Sequence, residues 1–222
     1  VWGGVVLPTK QIPSQCGTDL SYIKEMARKV GYVFYVEPGP IAGVNYAYWG
    51  PQIRVGMPQP ALNLNMDAHT NVESLNFTFD NNKNSIPMLY WYEELTKAIT
   101  MIPIPPITPL SPPLGLIPPI PTRLDPPSDE LSKLPLSQAL MRGMAQAAEL
   151  QEVVKGEGSL DVLRYGRVLQ ARKLVGVRGV GPAYDGLYYV KRVTHTIKKG
   201  EYKQNFTLTR NGLLSTVAKV PS

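Results

Sequence analysis

Chemistry at neutral pH usually calls on a histidine, an activated cysteine or two carboxylates held face to face, and this sequence supplies few of them. Its one cysteine is Cys16 and its two histidines are His69 and His195. A Cys16–His69 nucleophile pair, or a site built on His195, would need a glycine-rich or strand-turn-helix setting that presents the nucleophile. None of the three has one. His69 lies in the loop-like stretch Asp67-Ala68-His69-Thr70-Asn71, and His195 is expected to be a hydrogen-bonded core histidine. Glu93-Glu94 is a carboxylate pair, but adjacent residues on a helix or strand point apart. A single cysteine can build neither an intrachain disulfide nor a cysteine-rich zinc site, and no His/Cys/Asp cluster has ligand spacing. The thiol count fits a reducing compartment. Gly176-Val177-Arg178-Gly179-Val180-Gly181 has the wrong glycine spacing for a dinucleotide loop, and no βαβ unit follows it. Asn76-Phe77-Thr78 and Asn205-Phe206-Thr207 match the glycosylation pattern, yet both fall inside expected strands. The residues therefore assign no catalytic group, no cofactor and no metal, and the chain is read as a non-enzyme.

The elements around these residues are more informative. Thr18 is a good N-cap with Asp19 in the first turn. Tyr22, Ile23, Met26, Ala27 and Val30 form one apolar stripe, and Gly31 ends the helix. Tyr32 to Glu37 reads as a strand, closed by the Glu37-Pro38-Gly39-Pro40 turn. Period-two alternation marks half-buried antiparallel strands at 44–48, 62–66 and 74–79, with a polar turn at 80–84. A second helix is predicted over 137–154, stopped by Gly156-Glu157-Gly158. Lys199-Gly200 makes a two-residue hairpin turn joining 187–198 to 201–210. That turn pairs Ile197 with Tyr202, His195 with Gln204, Val193 with Phe206 and Lys191 with Leu208 on a mainly apolar face. The opposite face pairs Thr196 with Lys203, Thr194 with Asn205 and Arg192 with Thr207, and none of its residues is an acid. Tyr188 and Val190 fall out of phase with Val193, which predicts a bulge near Lys191. A two-sided hairpin of this kind suits a barrel wall.

Charge is unevenly placed. The 222 residues carry a net charge of +6. Residues 1–154 hold 10 basic and 13 acidic side chains and residues 155–222 hold 13 and 4, so the last third stands at +9 and the rest at −3. A basic third invites a nucleic-acid reading, but no aromatic-and-basic recognition motif accompanies it, so a solvated or subunit-facing surface is the better account. Residues 101–127 contain 11 of the 22 prolines. The charge-free run 98–122 is apolar, but its nine prolines exclude a membrane-spanning helix. With Ile and Leu as spacers, the segment is expected to be an extended strap lying on its own or a neighbouring subunit.

The stretch Thr18 to Val36, with its helix followed by a strand, resembles the signature of the late control gene D proteins. These are phage tail baseplate hubs related to the hub half of type VI secretion VgrG spikes. Asn71 to Phe77 looks like the following family strand. The run Gly158 to Gly212 is similar as well, above all Asp161-Val162-Leu163-Arg164-Tyr165-Gly166, Asp185-Gly186-Leu187-Tyr188-Tyr189-Val190 and Phe206-Thr207-Leu208-Thr209-Arg210. The proline-rich strap has no counterpart.

The resemblance implies a homotrimer whose tube-like β-barrel domains match a hexameric inner tube on one side and a trimeric spike on the other. It implies assembly in the bacterial cytoplasm as part of a phage tail or injection particle, with cargo or DNA in the lumen and no integral membrane segment. The fold expected is α+β, mainly antiparallel, with short helices. Residues 1–100 would be a hub part, 101–127 the strap, 128–156 a helical connector and 157–222 a basic barrel segment. Val1 in place of Met carries the further expectation that most of a first barrel region precedes the chain. The hairpin residues Arg192, Thr194, Thr196, Lys203, Asn205 and Thr207 are the candidate lumen- or ring-facing interface. A tail-associated wall hydrolase and a basic nucleic-acid-binding module are the competing functions.

Overall fold

The computed structural model describes residues 15–92, 97–104, 110–118, 120–121, 123–126 and 136–217. Glu93 and Glu94 lie outside them. The chain forms two compact units, each assembled from three stretches. The first comprises Val1–Gln52, Pro87–Pro106 and Asp125–Ala147, the second Ile53–Ile86, Ile107–Leu124 and Ala148–Ser222. The elements are α1 (Asp19–Lys29), β1 (Tyr32–Pro38), β2 (Asn45–Pro51), β3 (Gln59–Asn63), β4 (Ser74–Phe79), β5 (Ser85–Tyr92), β6 (Ile99–Pro103), β7 (Gly115–Ile117) and β8 (Arg123–Asp125). They continue with α2 (Leu136–Leu150), β9 (Val154–Asp161), α3 (Val162–Tyr165), β10 (Leu174–Arg178), β11 (Gly186–Lys198), β12 (Glu201–Arg210) and β13 (Leu213–Ser215). The protein is thus α+β and mainly antiparallel.

In the first unit, the Thr18 hydroxyl accepts from the Ser21 N–H and caps α1, as its sequence predicts. Gly31 follows in a left-handed conformation at φ +70. A Cβ there would come within 2.6 Å of the Met141 carbonyl oxygen on α2, so glycine serves both the turn and the close approach. β1 and β2 pair antiparallel, with Phe34 opposite Trp49 and Tyr35 opposite Tyr48. β5 and β6 pair from Met88 opposite Pro103 to Tyr92 opposite Ile99. Leu89, Ile104, Ala139 and Ala147 form the small core of this unit.

The second unit is built on a six-stranded sheet of order β3-β10-β11-β12-β9-β4, antiparallel except where β3 meets β10. Among the described residues it is an open sheet, with β3 and β4 as its edges. The hairpin follows the predicted register from Lys198–Glu201 to Arg192–Thr207, and the register shifts between Val190 and Arg192. Lys191 is therefore the extra residue of the expected bulge. It is also why Leu208 pairs with Val190 and not, as predicted, with Lys191. The bulge turns the Lys191 ammonium to Glu152, 2.6 Å away. Glu152 also accepts from Arg54, and both of these side chains are buried.

Two expectations are corrected. α2 stops at Leu150, and Gly156-Glu157-Gly158 lies inside β9. The glycines serve the sheet instead of ending a helix. A Cβ on Gly156 would meet the Phe77 ring at 2.7 Å, and one on Gly158 would meet the Ser74 carbonyl oxygen at 2.4 Å and the Phe206 ring at 2.7 Å. The strand expected over 62–66 is β3, three residues earlier, because Asn71 intervenes. Its side chain accepts from Asn63 N–H and donates to the Ala61 carbonyl, which turns the chain away after Asn63.

The core face of the sheet carries Leu75, Leu160, Val190, Phe206 and Leu208, packed with Val72, Tyr165 and Leu169. Two polar side chains share this face and are fully satisfied. The Gln204 amide makes both a donor and an acceptor bond to the backbone of Leu169. Arg210, wholly buried, donates to the carbonyls of Gly212, Asp185 and Ala183. Residues 114–117 of the proline-rich segment are held here too, whereas its first residues run in β6 and Ile104 joins the core of the first unit. Leu114 is buried beside Leu174 and Tyr189, Asn211 Oδ1 accepts from the N–H groups of Leu114 and Gly115, and β7 pairs with β13.

Candidate interface on the polar sheet face

Alternation places the six predicted residues on the face opposite that core, and the sheet extends them across strands. Arg192 and Thr207 continue through Glu157 on β9 to Asn76 on β4; Thr194 and Asn205 continue through Ser159 to Ser74; Thr196 and Lys203 continue to Asp161. All six thus lie together, in three cross-strand rows. Thr207 is buried, Lys203 and Thr196 are half-buried, and Arg192, Thr194 and Asn205 are exposed.

The floor of this face is made of short polar side chains. Ser74 and Ser159 share a hydroxyl–hydroxyl hydrogen bond of 2.9 Å. Together with Asn76, Thr194, Asn205 and Arg192 they line a shallow depression of about 430 Å³. A second depression of about 630 Å³ shares Glu157, Arg192 and Thr207 with the first and continues past Lys155 and Thr209 to Glu149 and Glu152. The two make one polar trough along the sheet.

Its charges are balanced, which the hairpin alone does not show. Lys203 lies 2.9 Å from Glu73 and 3.2 Å from Glu201. These hydrogen bonds, first that to Glu73 and then that to Glu201, hold its ammonium above the ordinary lysine value. Lys155 sits 2.5 Å from Glu157. That hydrogen bond and charge hold the Glu157 carboxyl below its ordinary value, and Arg192 adds to the effect. Arg192 itself makes no ion pair within 4.0 Å of a described acid. The hairpin contributes one acid to this face, Glu201 at the start of β12, and Glu73 just before β4 with Glu157 and Asp161 on β9 supply the others. Nothing here pairs a nucleophile with a base. The trough is a surface for hydrogen bonding and for weak, screened charge contacts.

The other residues that sequence reading singled out stay dispersed. Cys16 is a free, exposed thiol. His69 ends a single 3₁₀ turn and is exposed. Neither side chain hydrogen bonds a described residue. His195 is corrected: its Nδ1 lies 2.8 Å from the Tyr202 hydroxyl and 3.2 Å from the Gln204 amide nitrogen, so it is hydrogen-bonded, but it is exposed and not in the core. β10 pairs with β11 only as far as Tyr189, so among the described residues no strand flanks the hairpin tip on that side, and Ile197 there is 72% exposed. Gly176–Gly181 forms the end of β10 and the turn after it. A Cβ on Gly179, at φ +81, would fall 1.8 Å from the Leu64 carbonyl oxygen. Asn76 and Asn205 lie in β4 and β12. Among the described residues no group of three His, Cys, Asp or Glu could hold a metal ion, and no helix is long and apolar enough to cross a membrane. Ser74, Asn76, Glu157 and Ser159 are among the trough residues that sequence reading did not assign. The alternation of Ser74, Asn76 and Thr78 was their only local signal.

The fold of this chain is one found in phage tail proteins. The chain is similar to the tail protein of Neisseria meningitidis MC58, with a TM-score of 0.60 and 15% identity, covering 92% of this chain and 58% of that one. It is also similar to the 43 kDa tail protein of prophage MuSo2 from Shewanella oneidensis, with a TM-score of 0.55 and 11% identity over 88% of this chain and 53% of that one. The chain therefore spans little more than half the length of either. No protein-family model and no curated protein sequence matches it.

Proposed function

We propose that this chain is a structural component of a phage tail or contractile injection particle, a baseplate hub that adapts the hexameric inner tube to the trimeric spike. The observation that carries this reading is the fold likeness to the Neisseria tail protein, which extends over 92% of the chain. The sequence resemblance to late control gene D hubs in Thr18–Val36 and Gly158–Gly212 adds to it. In this reading three copies associate, and the sheet of each copy joins its neighbours in a tube-like barrel wall. The polar trough then faces the lumen or the adjoining ring. Hydroxyls, amides and neutralised lysines suit such a surface, because they hold water and grip a moving cargo weakly. The role is mechanical and needs no active site.

Native mass spectrometry of the purified chain, alone and with the tube protein of its own particle, tests this. The expected result is a trimer that binds tube protein. A monomer that ignores the tube protein at micromolar concentration overturns it. Charge reversal at both Arg192 and Lys203 is expected to impair tube docking or cargo loading; particles that assemble and load normally would remove the trough from the interface.

A further inference from the structure

From two exposed apolar surfaces we infer that the proline-rich segment of one copy docks on the β1–β2 ribbon of a second copy. The inference rests on the proposed self-association.

The first surface is a strap with an anchored end. Leu114 in the core, the Asn211 clamp and the β7–β13 pairing fix residues 114–117 to the second unit. On the anchor's outer side and past it, apolar side chains point to solvent. Leu116 is 63% exposed and Ile120 83%, Ile117 and Leu124 are exposed as well, and Pro118 and Pro121 lie between them. Residues 116–122 carry no charge. A segment held so firmly at one end and so apolar beyond it is costly to leave in water.

The second surface is the ribbon. Residues 32–51 contain one charge, Glu37, which pairs with Tyr46 on one face. The other face presents Tyr32, Phe34, Val36, Ala47 and Trp49, with Tyr32 set edge-on to Trp49 at 4.8 Å. Val36 is 54% and Trp49 48% exposed. A two-stranded ribbon is marginal by itself and gains from a third layer.

The chemistries fit each other. Proline-rich chains dock on aromatic faces because proline rings pack flat against them, and because a polyproline backbone gives up little entropy on binding. Neither surface carries a charge that would need a salt partner, which argues against an acidic or basic macromolecule as occupant. Each copy bears one strap and one ribbon, so strap-to-ribbon contact between copies is head-to-tail, the kind of contact that forms a ring when the rotation between copies closes, as a trimer requires.

The test uses the full chain. Leu116 is replaced by the photoreactive amino acid p-benzoylphenylalanine, and this protein is mixed with ¹⁵N-labelled wild type and irradiated. The expected products are cross-links from position 116 to ¹⁵N peptides within 32–51. Ile120→Asp or Val36→Asp, both at exposed positions and so compatible with folding, should lower their yield at least about tenfold. Cross-links confined to peptides of the same copy, cross-links outside 32–51, or none, would overturn the inference. The hub reading outlives each of these results if the chain still trimerises and binds tube protein.

Discussion

Among the described residues Arg210 is the largest side chain that is wholly buried, and replacing it tests how the second unit holds its loops. Its Nε donates to Gly212 O at 2.7 Å, Nη1 to Asp185 O at 2.9 Å and Nη2 to Ala183 O at 2.6 Å, while the guanidinium stands 4.5 Å over the Tyr188 ring. Burial holds its pKa below the ordinary arginine value, with Tyr188 and then Asp185 opposing. No carboxylate within 4.0 Å pairs with it among the described residues, so its charge is balanced by carbonyl dipoles and an aromatic face. Arg210→Met keeps much of the volume and removes the charge. Two terms then compete. Three buried carbonyls lose their donor, at about 1–3 kcal/mol each. Against this, the several kcal/mol that it costs to desolvate the cation are recovered. The carbonyls are backbone groups fixed by the β11 and β13 strand ends, so they cannot turn to new donors. The net loss is expected to be about 3–5 kcal/mol, or a fall in Tm of roughly 6–20 °C for a chain of this size. Arg210→Lys should fall in between, since one ammonium cannot reach all three carbonyls. Thermal unfolding followed by circular dichroism measures the difference, and hydrogen exchange at 183–186 should rise with it. An Arg210→Met protein as stable as the wild type would refute the reasoning, because desolvation would then outweigh the clamp.

Glu152→Ala should cost about 3–5 kcal/mol in urea unfolding, because it strips the carboxylate from buried Arg54. Lys191→Ala, which removes only the half-exposed partner of the same carboxylate, should cost no more than about 1 kcal/mol. Alkaline titration gives another check. Burial pushes the Tyr165 hydroxyl, which donates to Pro60 O, up to about 12 from its ordinary 10.0, with Arg167 opposing, and burial pushes Tyr188 higher still. The folded state therefore keeps protons that the unfolded chain releases. The stability from these groups is complete below pH 10 and is lost as the pH rises towards 12 and beyond. Tyr165→Phe should flatten that decline in a stability-against-pH series.

Much of the fold was open to local reading. Thr18 and Gly31 bounded the first helix, and Lys199-Gly200 with the phase break after Val190 gave the hairpin, its register and its bulge. These features depend on neighbours a few residues apart. The errors came where distant neighbours decide. Gly156 and Gly158 look like helix stops, yet they are strand residues whose missing Cβ atoms admit Phe77 and Phe206. His195 sits on the apolar side of its hairpin, but β10, the strand beside β11, pairs with it only as far as Tyr189. The trough was half legible for the same reason. Its hairpin residues follow from alternation, whereas Ser74, Glu157 and Ser159 join them only through strand order. The balance of charge depends on that order too, since the acids that neutralise Lys155 and Lys203 include Glu73 and Glu157 from the neighbouring strands.

The most direct measurement is a cryo-electron microscopy map of the assembled particle that contains this chain. A hub requires three copies at the junction of inner tube and spike, with β4, β9, β12 and β11 turning Ser74, Ser159, Asn205 and Arg192 to the lumen or the adjoining ring. Copies placed away from the tail axis, or any number at that junction other than three, would contradict it.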